Sequence, residues 1–230
     1  MLFIILVYTY IKQLKTFTMK TQTKQSQSEM TPNDALLQLK SGNERFLSNK
    51  TASRDLLGQV KDTSGSQFPY AAILSCIDSR VSSELVFDQG IGDVFSIRIA
   101  GNFVNRDILG SMEFSCKVAG SKLIVVLGHT SCGAIKGACD NVELGNLTGM
   151  LDNIKPAVDS VTDVKGERNS KNINFVNRVA EVNVLNTIER IKKESPVLKD
   201  MLANAEIGIV GATYKVETGE VEFSDIITGV

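Results

Sequence analysis

A short apolar stretch that ends in reactive side chains constrains this chain more than any other feature. Residues 70–76 are almost entirely apolar and lack a helical period, which is typical of a strand buried on both faces. A thiol, a carboxylate and a guanidinium follow within five residues, at Cys76, Asp78 and Arg80. Because α/β proteins place their sites at the carboxyl ends of strands, this stretch predicts a functional site as well as a strand.

Strand-like and helix-like segments alternate along the rest of the chain. Further strands are predicted at residues 94–99, 122–128 and 207–212. Helical spacing is found at residues 32–47, 107–119 and 175–195. A hairpin turn at Gly219 leads to a last short strand around residues 221–223. The pattern predicts an α/β fold: a central mostly parallel β-sheet with an antiparallel edge strand and flanking helices.

The first thirty residues are predicted to lie outside the folded domain, which we expect to span residues 31–230. Residues 2–11 are apolar, but about 20 residues are needed to cross a bilayer as a helix. We interpret residues 1–18 as a leader mis-assigned from an upstream start, and the polar residues 19–29 as disordered. On that interpretation the protein is cytoplasmic. If residues 1–18 are a genuine leader, it is exported.

The charge and the cysteine content exclude several classes of protein. The formal net charge is −1 and no basic patch is present, so we expect no nucleic-acid partner and no stable membrane association. Four cysteines in 230 residues are too few for a disulfide scaffold, and no Cys-x-x-Cys pair indicates a redox role. Two of the four, Cys116 and Cys139, lie on predicted helices and are assigned to packing.

A second strand end also carries metal-ligating side chains. His129, the only histidine, and Cys132 follow the third predicted strand. If that strand runs parallel to the one before Cys76, two thiols and an imidazole meet at one edge of the sheet, and this donor set favours Zn²⁺. Asp78 is either a fourth zinc ligand or the partner of Arg80 in a bidentate ion pair, which would leave the metal open to water.

Two motifs carry a resemblance to a known family. Cys-x-Asp-x-Arg at residues 76–80 is followed, about fifty residues later, by His-x-x-Cys-Gly at residues 129–133, and a tail pattern lies at residues 211–221. With these motifs at this spacing, residues 31–225 resemble the beta-class carbonic anhydrases. The resemblance implies a mainly parallel sheet and an N-terminal helical arm, here residues 31–67, that embraces a neighbouring subunit. It also implies a dimer that often pairs into a tetramer.

The same resemblance implies a reaction and assigns roles in it. Family members hydrate carbon dioxide reversibly to bicarbonate and a proton, through zinc-bound hydroxide. They hold one zinc ion per subunit through the residues that match Cys76, His129 and Cys132. The aspartate that matches Asp78 either pairs with the arginine that matches Arg80, leaving zinc-bound water, or ligates zinc in an inactive state.

The resemblance also implies some of the residues of a substrate pocket. Gln67, Phe95, Phe114 and Gly133 stand at positions that match the family's pocket. Phe114 occupies a place that is commonly tyrosine in plant-type members, so the wall stays apolar but lacks a hydroxyl. The ordinary alternative for Phe95 and Phe114 is core packing.

Two other positions depart from the patterns of some relatives. Many members have a second glycine where this chain has Ala134. Some bacterial members carry an inhibitory bicarbonate pocket that uses a tryptophan three residues before the first zinc cysteine. Ile73 stands there and the chain has no tryptophan, so we predict that this inhibition is absent.

Two alternatives to carbon dioxide hydration stay open. A zinc hydrolase of carbon disulfide or carbonyl sulfide would need the same metal chemistry and the same apolar pocket. A non-catalytic zinc protein would close the site with four ligands. Arg80 argues against that second alternative, because a structural site has no need of a clamp on its carboxylate.

Overall fold

A five-stranded sheet forms the centre of the part of the chain that the computed structural model describes, residues 19–229. The strands are β1 (Ala71–Ser75), β2 (Val94–Arg98), β3 (Leu123–His129), β4 (Gly208–Tyr214) and β5 (Val221–Phe223). They lie in the order β2-β1-β3-β4-β5. The first four are parallel, and β5 is antiparallel to β4. The predicted α/β class, with its mostly parallel sheet and antiparallel edge strand, is confirmed.

Helices pack on both faces of this sheet. They are α1 (Lys24–Glu29), α2 (Pro32–Leu47), α3 (Leu56–Thr63), α4 (Ser83–Val86), α5 (Arg106–Glu113), α6 (Gly133–Cys139), α7 (Gly145–Leu151), α8 (Lys155–Ser160), α9 (Ile173–Glu194) and α10 (Pro196–Ala203). A π-helical segment, Phe114–Val118, continues α5 directly. Over the described residues, no helix is long and apolar enough to span a membrane.

The two strands that carry the predicted site are buried along their whole length, which explains their unbroken apolar sequence. Alternate side chains of β3 enter different halves of the core. Leu123, Val125 and Leu127 pack with α2, whereas Ile124 and Val126 pack with α5, α9 and α10. Burial of each such side chain contributes roughly 1.5–3 kcal/mol. The sheet is therefore the middle layer of three, and its strand ends are firmly placed.

Helix α2 begins and ends where the sequence predicts. The Thr31 hydroxyl accepts the Asp34 N–H at 3.1 Å, and the Asp34 carboxylate accepts the Thr31 N–H at 3.0 Å, which together form a capping box. The apolar face of the helix, including Leu36 and Leu39, is buried against this chain's own sheet. The role of residues 31–67 as an arm that embraces a neighbour stays a prediction.

The segment before α2 departs from the prediction. The polar composition of residues 19–29 predicts disorder, but α1 forms there and buries Gln27. The Gln27 amide donates to the carbonyl oxygens of Pro69 at 2.7 Å and Ala119 at 2.8 Å. A buried amide that satisfies two carbonyl groups can anchor a segment without any apolar side chain. The predicted leader, residues 1–18, lies outside the described residues.

Three further helices form where the sequence pattern is weak. Helices α7 and α8 lie within residues 140–172, whose mixed composition predicts no element. Helix α10 follows α9 after the single residue Ser195, whose hydroxyl caps it by accepting the Leu198 N–H at 3.2 Å. Helices this short depend on packing more than on propensity. Leu151 in α7 and Leu202 in α10 supply that packing, since both are buried.

Candidate metal centre

Two adjacent strand ends bring the predicted ligands together. Strands β1 and β3 are parallel neighbours, so Cys76, directly after β1, lies beside the end of β3, where His129 is the last residue. The sulfur atoms of Cys76 and Cys132 are 3.9 Å apart. One ligand atom from each of the three residues lies within 4.8 Å of the other two, and all three side chains are buried. Two thiols and an imidazole at this spacing form a donor set that suits Zn²⁺.

The imidazole of His129 is oriented toward this group. Its Nδ1 lies 2.9 Å from the Thr130 carbonyl oxygen, so Nδ1–H donates there and Nε2 carries the free lone pair. Nε2 is buried and has no hydrogen-bond partner. A buried polar atom without a partner is costly, and a metal ion would satisfy it. The residues present therefore fit a zinc ion.

The loop that leads from β3 to Cys132 has an unusual backbone conformation and is held by a hydrogen bond to α9. Ser131 has a φ of 56°, in the left-handed region that a residue with a β-carbon seldom adopts. Its N–H donates to Asn177 Oδ1 at 2.9 Å, which ties the loop to α9. Cys132 occupies the N-cap position of α6 but makes no side-chain capping hydrogen bond. The backbone N–H groups of Ala134 and Ile135 favour its thiolate, but they do not outweigh the effects that raise its pKa.

The pKa values of the two thiols are shifted in opposite directions. The hydrogen bond from Cys132, supported by His129, lowers the pKa of Cys76 to about 4 even though burial opposes the shift. The same hydrogen bond, together with burial, raises the pKa of Cys132. A metal ion bound here would compete with protons for the two sulfurs, because the thiolate is the form that ligates a metal.

Arg80 holds Asp78 in a bidentate ion pair beside the ligand group. Arg80 Nε donates to Asp78 Oδ1 at 2.9 Å and Nη2 donates to Oδ2 at 2.8 Å, and the Arg80 N–H also reaches Oδ1 at 3.0 Å. The side-chain hydrogen bonds from Arg80 hold the pKa of Asp78 well below its usual range, so the carboxylate is ionised at neutral pH. Asp78 Oδ2 lies 4.0 Å from His129 Nε2. Its alternative role as a fourth ligand stays a prediction.

Arg98 and Gly101 complete the surroundings of Cys76, and the sequence patterns predict neither. Arg98, the last residue of β2, donates from Nε to the Cys76 carbonyl at 3.0 Å and from Nη2 to the Asp78 carbonyl at 2.8 Å. The Gly101 N–H donates to Cys76 Sγ at 3.4 Å. The neighbouring strand end therefore supports the loop that carries the first ligand. An arginine at the carboxyl end of β2, on the same edge as the site, was the available signal.

Glu217 supports the other half of the site. Its carboxylate oxygens accept hydrogen bonds from two hydroxyl groups, Oε2 from Thr130 at 2.7 Å and Oε1 from Ser131 at 3.4 Å. The same Thr130 hydroxyl oxygen accepts a hydrogen bond from the Val216 N–H at 3.0 Å. The bond from Thr130 lowers the pKa of Glu217. No site role is predicted for Glu217 from the sequence, although it falls within the tail pattern at residues 211–221.

An apolar cavity of about 330 Å³ opens beside Cys76 and Asp78. Its lining comprises Cys76, Ile77, Asp78, Ala100, Gly133, Ala134, Gly137, Leu147, Met150 and Leu151. Gly133 was predicted for the substrate pocket and lies on this wall. Helix α7, which the sequence pattern does not predict, contributes three of the apolar side chains. The cavity has the character of a site for a small uncharged molecule.

The other predicted pocket residues lie elsewhere within one chain. The rings of Phe95 and Phe114 meet edge to face, 6.2 Å between centroids, and line a groove between β2 and α5. Gln67 lines a separate polar depression after α3. A single chain therefore does not bring these three residues to the cavity beside Cys76. Their pocket roles stay predictions, as does the absence of bicarbonate inhibition inferred from Ile73, which is buried in β1.

The remaining two cysteines are buried free thiols outside the ligand group. Burial raises the pKa of Cys116 to about 12 and that of Cys139 to about 11. Such thiols are unreactive at neutral pH and behave as small apolar side chains. The geometry agrees with the packing role expected for both.

Known proteins share these features. The carbonic anhydrase family model matches residues 71–221. Carbonic anhydrase 2 of Mycobacterium tuberculosis is 32% identical over 198 residues, which cover 84% of this chain and 92% of that protein. The beta-carbonic anhydrase of Coccomyxa, solved in complex with acetazolamide, has a TM-score of 0.65 and 25% identity, covering 74% of this chain and 78% of its own. A tetrameric beta-carbonic anhydrase of Sordaria macrospora shares the fold, with a TM-score of 0.62, 24% identity, and coverage of 71% and 84%.

A parallel sheet with a Cys-His-Cys group at its carboxyl edge defines an α/β protein with a candidate metal site. The family match and the mycobacterial identity go further: the chain belongs to the carbonic anhydrase family, in its beta class. The resemblance inferred from the two motifs is therefore confirmed, and so is the prediction that the chain is an enzyme of this family.

Proposed function

We propose that this protein catalyses the zinc-dependent, reversible hydration of carbon dioxide to bicarbonate and a proton, with one zinc ion per subunit. The observation that carries the proposal is the convergence of Cys76, His129 and Cys132, with Asp78 held to one side by Arg80. Membership of the carbonic anhydrase family supports the same reaction.

The number of protein donors favours an open metal site. Structural zinc sites usually have four protein ligands, whereas catalytic ones keep a position for water. The candidate group in the described part of the chain has three donors, and the nearby carboxylate is engaged by Arg80. When bound, zinc would supply hydroxide from water at neutral pH.

Asp78 is placed to orient the attacking oxygen. Its ionised carboxylate can accept a hydrogen bond from the nucleophile and turn an oxygen lone pair toward the carbon of the substrate. Arg80 fixes both carboxylate oxygens, and Arg98 fixes the Asp78 backbone carbonyl at 2.8 Å. The orientation is therefore set before the substrate arrives.

The cavity beside Asp78 suits the substrate. Carbon dioxide is small and uncharged, and the apolar walls supplied by Ile77, Leu147 and Met150 favour it over ions. The Asp78 residue and one proposed metal ligand, Cys76, are among the residues that line this apolar space. Substrate would therefore reach the reacting groups through an apolar approach.

A paired assay on one preparation tests the proposal. We expect about one zinc ion per subunit by metal analysis and rapid carbon dioxide hydration by stopped flow. Hydrolysis of carbon disulfide, measured in parallel, distinguishes the alternative enzyme that the same donor set would permit. Bound zinc with neither activity would show a non-catalytic zinc protein, and activity on carbon disulfide alone would replace the proposed substrate.

We also propose self-association into a dimer or a tetramer, as the tetrameric Sordaria macrospora enzyme supports. The predicted pocket roles of Gln67, Phe95 and Phe114 would then require that a neighbouring subunit bring them to the cavity, since one chain does not. Light scattering after size-exclusion chromatography tests this proposal. A monomer at assay concentration would contradict both the assembly and those three pocket roles.

A further inference from the structure

A turn after β2 contacts the first metal-ligand sulfur through its backbone. Gly101 and Asn102 both have left-handed backbone, with φ of 81° and 40°. This geometry places the Gly101 N–H 3.4 Å from Cys76 Sγ. A side chain at position 101 would also be obstructed, because an added β-carbon would lie 2.5 Å from Ile154 Cδ1. The turn therefore depends on glycine and on whatever holds its conformation.

Helix α9 holds this turn from the opposite side. The Asn183 amide donates from Nδ2 to the Gly101 carbonyl at 2.8 Å. One helical turn later, the Thr187 hydroxyl donates to the Asn102 carbonyl at 3.4 Å. The two helix side chains are 2% and 1% exposed. Both carbonyl groups of the turn are thus tied to one helix, and the shorter contact belongs to Asn183.

Core packing alone does not explain why an asparagine stands at position 183. Apart from Thr187, the neighbouring inward positions on α9 are apolar, among them Val179, Ala180 and Val184. A buried amide is stable there because it is hydrogen-bonded, whereas an apolar residue could fill the space without needing a partner. The bond it makes fixes Gly101, whose N–H in turn reaches the Cys76 sulfur.

We propose that Asn183 is a positioning residue of the metal centre: it holds Gly101 so that the Gly101 N–H donates a hydrogen bond to the Cys76 thiolate. This inference rests on the proposed zinc centre. A hydrogen bond to a ligating sulfur withdraws electron density from it and fixes its direction. Partners of this kind commonly change metal affinity or activity by about 10- to 100-fold when they are removed.

The test uses two substitutions and a control on the same helix. Asn183→Leu replaces the amide with an apolar side chain that has the same number and branching of non-hydrogen atoms. Asn183→Ser removes the amide with a shorter side chain, in case leucine prevents folding. Asn186→Leu is the control, since Asn186 lines the nearby surface cleft on α9 and makes no hydrogen bond to the turn. Each protein is loaded with cobalt(II), and the sulfur-to-cobalt charge-transfer band is recorded. Zinc affinity is measured by chelator competition and stability by thermal unfolding.

We expect both Asn183 variants to move the charge-transfer band to longer wavelength, because a thiolate without its hydrogen bond is richer in electrons. They should also bind zinc about 10-fold or more weakly. Asn186→Leu should leave both readouts unchanged. Lower thermal stability with an unmoved band would overturn the inference, since Asn183 would then only support the core. Absence of a thiolate-to-cobalt band in the unaltered protein would overturn the zinc centre itself, and this role with it.

Discussion

Arg80 binds both carboxylate oxygens of Asp78, at 2.9 Å and 2.8 Å, while one of those oxygens lies 4.0 Å from Nε2 of His129. The carboxylate therefore lies close to the candidate metal centre, but both of its oxygens are hydrogen-bonded to the Arg80 guanidinium. Arg80 itself is half exposed, with 50% of its side chain accessible, whereas Asp78 is largely covered. Two predictions separate the roles of these residues.

Removing the charge of Asp78 should impair catalysis without removing the metal. In Asp78→Asn the side chain keeps its size but no longer orients the nucleophile as an anionic acceptor, so we expect kcat for carbon dioxide hydration to fall by about 100-fold or more. Zinc content should stay near one per subunit, since three other residues form the ligand group. Asp62→Asn, at an exposed carboxylate, is the control. Full activity in zinc-loaded Asp78→Asn would refute the role proposed here.

Replacing Arg80 by lysine tests the bidentate geometry. Lysine keeps the positive charge but cannot donate two parallel hydrogen bonds from a planar group, so Asp78 would be held less firmly. We expect kcat to fall by about 10- to 100-fold, with zinc still bound. Stopped-flow hydration with metal analysis on the same sample measures both quantities. A variant as active as the unaltered enzyme would show that charge alone is sufficient.

The ligand assignment predicts a contrast between two kinds of buried cysteine. Cys132→Ser exchanges a sulfur of the proposed zinc site for a poor ligand, so we expect zinc content to fall well below one per subunit and hydration to be lost. Cys116→Ala removes a sulfur from the core alone and should keep both zinc and activity. Atomic absorption on dialysed proteins provides the measurement. Equal zinc content in the two variants would contradict the assignment.

The sequence predicts those parts of the site that depend on which residue types follow the buried strands. The apolar runs of β1 and β3 identify two buried strands, and parallel strands place their carboxyl ends on one edge. Cys76 and His129 could therefore be paired from the sequence, and Cys132 follows because it is three residues from His129. Gly133 is placed at the same edge because it directly follows Cys132 in the chain.

The unpredicted part depends on contacts between distant segments. Arg98 reaches the Cys76 carbonyl from 22 residues away, and Asn183 reaches Gly101 from 82 residues away. A polar side chain looks the same in sequence whether it meets water or a buried carbonyl, so no local pattern identifies these partners. The sequence does not predict helices α7 and α10 for a related reason, since their short segments gain stability from packing and carry little periodic signal.

A buried ion network makes the stability of the fold depend on pH. Asp88 accepts from Arg45 at 2.5 Å and from Arg54 at 2.5 Å, and its side chain is 3% exposed. Burial alone would raise the pKa of Asp88, but the hydrogen bonds from the two arginines outweigh it and lower the pKa. A carboxyl whose pKa is lower in the folded state stabilises the fold fully above its unfolded pKa of about 4, and this stabilisation is lost as pH falls further.

Substitution of this carboxylate should remove that dependence. Asp88→Asn leaves two guanidinium groups without their counter-charge, so we expect the free energy of unfolding at pH 7 to fall by about 3 kcal/mol. The loss of stability between pH 4 and lower pH should also become shallower than in the unaltered protein. Urea unfolding at a series of pH values measures both effects, with Asp62→Asn as the exposed control. An unchanged acid dependence would exclude Asp88 as a source of it.

The burial of Gln27 gives a test of the ordered N-terminal segment. Its amide satisfies the carbonyl oxygens of Pro69 and Ala119, which flank the entries to β1 and β3. Gln27→Ala would leave the Ala119 carbonyl without this donor, while Pro69 would keep its bond from the Ser121 hydroxyl at 2.9 Å. We therefore expect a loss of about 1–3 kcal/mol in the free energy of unfolding. Faster proteolysis within residues 19–29 should accompany it, because this contact anchors α1. Gln25→Ala, at an exposed position of the same helix, should change neither quantity, and equal behaviour of the two variants would show that Gln27 does not anchor the segment.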